Sequence, residues 1–196
     1  MRADARSNRL RILDAAAEAL AAPGDTSLKS IARRAGVGQG TLYRHFPTRE
    51  SLVLQVYGDE VAELVKAVPT LLMTLPPAPA LRAWLERLLH LGRCTPEFAD
   101  AIRAATGALT EQGREAHQPL LDALSALVRA NERAGTIEPG TTPDDVLLLL
   151  GPLWRIDAAE EERARAGRLL DVLMRGLCPS DGAQESPTPV GAGSAG

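Results

Sequence analysis

The chain has almost no aromatic residues. Two Trp, two Tyr and two Phe make up 3% of its 196 residues. A core must therefore be built from Ala, Leu and Val, which favours helices packed through small and aliphatic side chains. Cysteine is nearly absent as well. Cys94 and Cys178 lie far apart and show neither metal-ligand nor redox spacing, so they read as reduced thiols. The three His belong to no His-Glu-x-x-His, and there is no phosphate loop or nucleophile elbow. No enzymatic activity, cofactor or metal is expected. Long apolar runs are missing too. The longest, Val146-Leu147-Leu148-Leu149-Leu150, falls far short of the roughly 20 residues of a membrane span. The polar start Met1-Arg2-Ala3-Asp4-Ala5-Arg6 has no signal-peptide core behind it, so a cytoplasmic, nucleoid-associated location without a membrane partner is expected.

A surplus of positive charge is also lacking: the net charge is −3. Dividing the chain changes the picture. Residues 1–49 hold nine bases (Arg2, Arg6, Arg9, Arg11, Lys29, Arg33, Arg34, Arg44, Arg49) against four acids (Asp4, Asp14, Glu18, Asp25), a net of +5. The remainder holds thirteen bases and twenty-one acids, a net of −8. Such asymmetry suggests a basic nucleic-acid module joined to an acidic domain with another task. Chance clustering on a solvated face is the bland alternative.

What is present reads as helices throughout, an all-α chain. Leu10, Leu13, Ala16, Ala17 and Leu20 recur at helical spacing, with Ser7 or Asn8 as a cap. Pro23-Gly24-Asp25 is a turn. Thr26 or Ser27 caps a second helix whose inner stripe is Leu28, Ile31, Ala32 and Ala35, and Gly36 stops it. A short third helix runs from about Gly40 to His45. Thr48 caps a long fourth through Leu52, Val56, Val61, Leu64 and Val65, which Pro69 and Pro76-Pro77-Ala78-Pro79 end. Further helices are expected over about Leu81–Cys94, Pro96–Leu109, Pro119–Ala134 and Glu160–Leu177, with a loop at Gln112-Gly113. Thr142-Pro143-Asp144-Asp145 is a helix start whose cap, first-turn Pro and acids agree, and its helix is expected to hold Trp154. Residues 179–196 hold three Pro, four Gly and three Ser, with Val190 as the one large apolar side chain; they read as a disordered tail.

Ser27 to Phe46 packs a helix, a glycine-containing turn and a second short helix into twenty residues, the spacing of a helix-turn-helix. Ile31, Ala32, Ala35, Val37, Leu42 and Phe46 can close one small core. Lys29, Gln39, Thr41, Tyr43, Arg44 and His45 are left outside. The second helix of such a unit enters the major groove with its N-terminal residues at the base edges.

Arg9 to Leu20, then Ser27-Leu28-Lys29-Ser30-Ile31-Ala32, then Gly36-Val37-Gly38-Gln39-Gly40-Thr41-Leu42-Tyr43-Arg44-His45-Phe46, with Arg49 and Leu52 following, resemble the TetR family of bacterial transcriptional regulators. The resemblance covers about residues 6–60. The compact loop Ala21-Ala22-Pro23-Gly24-Asp25 departs from it by lacking an aromatic at the end of the first helix. It implies a DNA-binding domain over 1–67 (helix-turn-helix 27–46) and a ligand-binding and dimerisation domain over 78–178. It also implies that Ser27 and Lys29, at the start of the second helix, reach the DNA, Lys29 contacting phosphate or a base edge. Gln39, Gly40 and Thr41 then face the groove, Gln39 suiting adenine and the Thr41 methyl suiting thymine. Tyr43, His45 and Thr48 fall to phosphates, with Arg44 nearby. Tyr43 could instead pack into the small core, and His45 could cap the Phe46-Pro47 turn.

For the second domain, the apolar run demands cover on several sides. The resemblance implies that the last two helices form a dimer contact, with Val146, Leu150, Leu169, Leu170, Leu173, Met174 and Leu177 as candidates; an intramolecular core is the alternative. It places a small-molecule pocket between, with Trp84, Leu88, His90, Leu91, Arg103, Thr106, His117, Trp154 and Arg155 as candidate lining, each with a structural or surface role as its alternative. No acids cluster inside the apolar helices, so a neutral or anionic apolar effector is expected. The expected function is a homodimeric repressor released from a palindromic operator on double-stranded DNA by a small-molecule effector. A constitutive dimeric regulator without an effector is the alternative.

Overall fold

The computed structural model describes residues 2–107, 111–156 and 160–179, with side chains over 4–106, 117–156 and 164–179. Ten α-helices appear among the described residues, and no strand. They are α1 (Arg2–Ala21), α2 (Leu28–Arg34), α3 (Gln39–His45), α4 (Arg49–Val56), α5 (Gly58–Thr74), α6 (Pro77–Cys94), α7 (Pro96–Gly107), α8 (Glu111–Arg133), α9 (Pro143–Leu150) and α10 (Glu160–Gly176). A 3-10 turn, Gly151–Arg155, follows α9 directly.

Apolar side chains gather into two cores. The smaller takes Ile12, Ala15, Ala16 and Ala19 from α1, Ile31 and Ala32 from α2 with Ala35 at its end, Leu42 from α3, Phe46, and Leu52 from α4. The larger runs from Val53 and Leu54 of α4 through α5 to α10. The two cores meet inside α4, where Leu52 and Val53 point about 100° apart because a helix turns by that angle per residue.

Three polar side chains tie the helices of the larger core to one another: buried Trp84 and Asn131, and half-buried Arg82. The Trp84 indole donates to the Leu64 carbonyl at 2.9 Å and so joins α6 to α5. Asn131 donates to the Pro77 and Leu127 carbonyls, and its Oδ1 accepts from the Thr136 hydroxyl at 2.7 Å. Arg82 of α6 donates through Nε and Nη2 to Asp171 of α10, at 3.0 and 2.8 Å.

Several expected boundaries moved. Helix α1 begins at Arg2, so Ser7 and Asn8 lie inside it and cap nothing; the Asn8 oxygen instead accepts from Arg11. The long fourth helix is broken at Tyr57, whose ring packs edge-on against Phe98 at 5.7 Å. Pro69 does not end α5. It sits on the exposed side, where a lost backbone bond is tolerated, while Leu64, Val68 and Leu71 bury the opposite stripe. Gln112-Gly113 lies within α8, because extending a nucleated helix outweighs the ~1 kcal/mol cost of one glycine. Trp154 falls in the 3-10 turn, since Pro152 has no N–H to continue the α-helical ladder. The expected tail lies outside the described residues beyond Pro179.

Gly92 shows why a glycine stands mid-helix. A Cβ there would come within 2.4 Å of the Trp154 indole nitrogen and 2.6 Å of its Cδ1. The 3-10 turn thus seats on α6 through a backbone surface. Gly92→Ala should lower unfolding free energy by about 1–3 kcal/mol in urea titrations, the usual cost of overpacking. A variant as stable as wild type would show that the indole moves aside freely.

Candidate nucleic-acid interface

Ser27 starts α2 as its N-cap, its Oγ accepting from the Ser30 backbone N–H at 3.2 Å. Asp25 accepts from the Ser27 backbone N–H at 2.8 Å, and that bond, with the Ser27 side chain, holds its carboxyl below the usual range. Gly36 ends the helix at φ +63, a left-handed conformation that glycine adopts without penalty. The Val37 N–H returns to the Ala32 carbonyl at 3.0 Å and closes the turn.

Helix α3 turns Leu42 inward, with Phe46 just past its end. Gly40, Tyr43 and Arg44, at i, i+3 and i+4, share its outward side, and Gln39 is exposed at its first turn. Thr41 and His45 are half-buried flanks. Tyr43 is 49% exposed and lies outside both cores, so it does not pack into the small core. His45 packs its ring against Phe46 at 6.4 Å, while the last N–H of the helix, on Phe46, bonds to Leu42.

Thr48 and Ser51 form a reciprocal capping box at the start of α4. Thr48 Oγ1 accepts from the Ser51 N–H at 3.1 Å, and the Thr48 N–H donates to Ser51 Oγ at 3.3 Å. The Thr48 hydroxyl hydrogen is left to donate elsewhere.

The head's bases fall into two groups. Arg9 stacks 5.5 Å from the Phe46 ring centre and donates to Gln55, joining α1, α4 and the end of α3. Arg49 donates to the carbonyl and hydroxyl of Thr26, fastening α4 to the loop before α2. These buttresses escaped sequence reading because charge counting does not reveal a partner. Lys29 and Arg44 are exposed and make no ion pair among the described residues. Ser27, Lys29, Gln39, Gly40, Tyr43 and Arg44 are therefore all open to solvent on the helix-turn-helix.

Two family descriptions match this chain. "Bacterial regulatory proteins, tetR family" matches residues 12–56, and "Transcriptional regulator SbtR-like, C-terminal domain" matches residues 76–179. The chain belongs to the TetR family. It is a DNA-binding transcriptional regulator and not an enzyme. The TetR transcriptional regulator SCO0520 from Streptomyces coelicolor is 41% identical, covering 88% of this chain and 99% of that one, with a TM-score of 0.54. Thermus thermophilus FadR, a TetR family repressor solved with lauroyl-CoA, is 20% identical over 93% of this chain and 100% of its own, with a TM-score of 0.61. RolR, solved with resorcinol, is 19% identical over 94% and 92%, with a TM-score of 0.63. The last two share the fold. Comparison with curated proteins gives no match.

In the TetR body, the structure separates the expected dimer residues. Val146, Leu150, Leu170, Leu173 and Leu177 are buried in the chain's own core and Met174 packs against it, because α9 and α10 lie on the bundle. Leu169 is exposed, together with Leu148, Leu149 and Val172.

The expected pocket residues also divide. Trp84 and Leu88 are fully buried core, His117 is buried within α8, Leu91 is half-buried and His90 is exposed beside Cys94. Arg103, Thr106, Trp154 and Arg155 are brought together around adjoining cavities between α7, α9 and the 3-10 turn. A lone Gly inside a helical pattern, Gly92, was the signal for this site, since it marks close packing. No described helix is long and apolar enough to cross a membrane.

The capping box gives a direct check. Thr48→Ala should destabilise the protein by about 1 kcal/mol in chemical denaturation and weaken DNA binding through misplacement of α4. Unchanged stability would mean that Ser51 and Arg49 hold the helix start without it.

Proposed function

We propose that the protein acts as a homodimer that represses transcription from a palindromic operator and lets go when a small-molecule effector fills its body. The exposed face of α3 carries this reading. Gly40 and Gly38 have φ outside the left-handed region, and a Cβ on either would meet nothing within 4 Å. No demand inside the chain calls for glycine at these positions. A surface that must let a DNA backbone or base edge approach closely does. Gln39 and Thr41 then read bases, and Ser27, Lys29, Tyr43, Arg44, His45 and Thr48 hold phosphates, in a protein of the cytoplasm.

Leu148 and Leu149 of α9 and Leu169 and Val172 of α10 are large apolar side chains left exposed, Leu149 and Val172 by 53% and 54%, and we assign them to one dimer face. A second copy suits it, since a two-fold axis would set two α3 helices at successive major grooves. The domain division proposed is 1–67 for DNA and 78–178 for ligand and dimer.

Cavities of about 230 and 330 Å³ beside Arg103 and Arg155 favour an effector over constitutive binding. Asp100 and Arg103 also line a cavity against Arg49 and Glu50 of α4. A ligand shifting α7 would therefore reach the helix that carries the head, and effector and operator would couple reciprocally. FadR with lauroyl-CoA and RolR with resorcinol are relatives in fold that hold ligands.

Lys29→Ala and Tyr43→Ala should each weaken operator binding about tenfold, as loss of ~1–2 kcal/mol implies, with dimer and melting temperature unchanged. Fluorescence anisotropy at several salt concentrations tests this. Affinity should fall steeply with salt in the wild type and less steeply in Lys29→Ala. Intact DNA affinity with lost stability would overturn the assignment. Leu149→Glu should yield monomers in analytical ultracentrifugation and abolish tight operator binding; a persistent dimer would move the interface elsewhere.

A further inference from the structure

Trp154 is 8% exposed, and its indole N–H is buried with no acceptor among the described residues. The other tryptophan, Trp84, donates to Leu64. A buried N–H without a partner is a standing cost that an incoming acceptor removes. Trp154 and Gly92, against which it is pressed, line a cavity of about 230 Å³ together with Pro96, Ala99, Asp100 and Arg103, and Arg155 stands at its side.

Among the described lining residues the charge is one-sided. Arg155 is exposed and has no ion-pair partner among the described residues. Arg103 donates to Asp100 at 3.1 Å, but both side chains are more than half exposed, so that pair is weak. Two guanidiniums against one carboxylate leave a net positive rim. The adjoining cavity, about 330 Å³, shares Arg103, Gly151 and Arg155 and adds Leu147, Leu148, Pro152 and Thr106. A chamber with charged donors at its rim thus opens beside a more apolar one.

From this geometry we propose that the effector is a carboxylate on an apolar body. Its anion sits between Arg155 and Arg103 and takes the Trp154 N–H as the indole lifts from Gly92, and its hydrocarbon lies along Leu147, Leu148 and Pro152. This rests on the effector reading above and names the chemical class. The donor count selects the class. A carboxylate has two oxygens, one for the indole N–H and one for a guanidinium, and charge assistance strengthens the second bond. An alcohol brings a single oxygen and no charge. An ammonium brings no acceptor and meets two cations.

The test uses the full-length protein and matched probes. Straight-chain and aromatic monocarboxylates of two to ten carbons are titrated by calorimetry and tryptophan fluorescence, beside alcohols and primary amines of the same carbon skeletons. Inorganic phosphate at equal ionic strength controls for charge alone. Carboxylates of intermediate length should bind at least tenfold more tightly than their alcohols, with no binding by amines or phosphate. Arg155→Gln, at an exposed position, and Trp154→Phe, which keeps an aromatic ring and deletes the donor, should each weaken carboxylate binding about tenfold in variants that melt as the wild type does. Carboxylate affinity equal to wild type in a folded Arg155→Gln protein overturns the site, as does the absence of binding by every carboxylate. If an alcohol or amine binds and releases operator DNA, the anion class fails while the effector reading stands. If no probe of any class binds or alters operator affinity, both fail.

Discussion

Eight residues of α4 hold this molecule together. Leu52 belongs to the core of the DNA-reading head and Val53 and Leu54 to the core of the body, so one short helix is a structural member of both. Its start is fixed by the Thr48–Ser51 box and by Arg49 on Thr26, and its end by Tyr57 on Phe98. A rotation of α4 cannot occur without disturbing two close-packed interiors, and such interiors prefer discrete arrangements to gradual deformation. The head therefore has an orientation set by the body.

The same constraint explains how the basic residues are used. Arg9 and Arg49 serve the joints of the head, one over Phe46 and one at Thr26. Lys29 and Arg44 stay exposed on its outer side. The +5 surplus of the first 49 residues is thus part scaffold and part surface. A reading of net charge alone merges the two, although only exposed cations can neutralise phosphate.

In the body, close packing at one place and its failure at another stand side by side. Trp154 rests on the bare backbone of Gly92, yet its N–H has no acceptor among the described residues. Chambers beside it are lined by Arg103 and Arg155. Well-packed proteins tolerate such departures where something else completes the site.

The sequence by itself determined the local matters. Helix-turn-helix spacing, the Gly36 stop, the caps at Thr48 and Thr142, and the inward Ile31–Leu42–Phe46 set were legible because each depends on neighbours within a few residues, while the choice of Ser27 over Thr26 as cap came from the structure. Family likeness followed from the same segment. Tertiary structure alone decided the rest. It placed the break at Tyr57 rather than Pro69, because a ring packed on Phe98 and a stripe buried opposite Pro69 outweigh local propensity. It assigned Leu150, Leu170 and Leu173 to the chain's own core and left Leu149 and Val172 outside, a choice that periodicity cannot make for an all-apolar run. It also gathered Arg103, Thr106, Trp154 and Arg155 from α7 and the turn after α9, residues up to 52 positions apart in the chain. Proximity of that kind is a property of the packed bundle, since no sequence spacing encodes it.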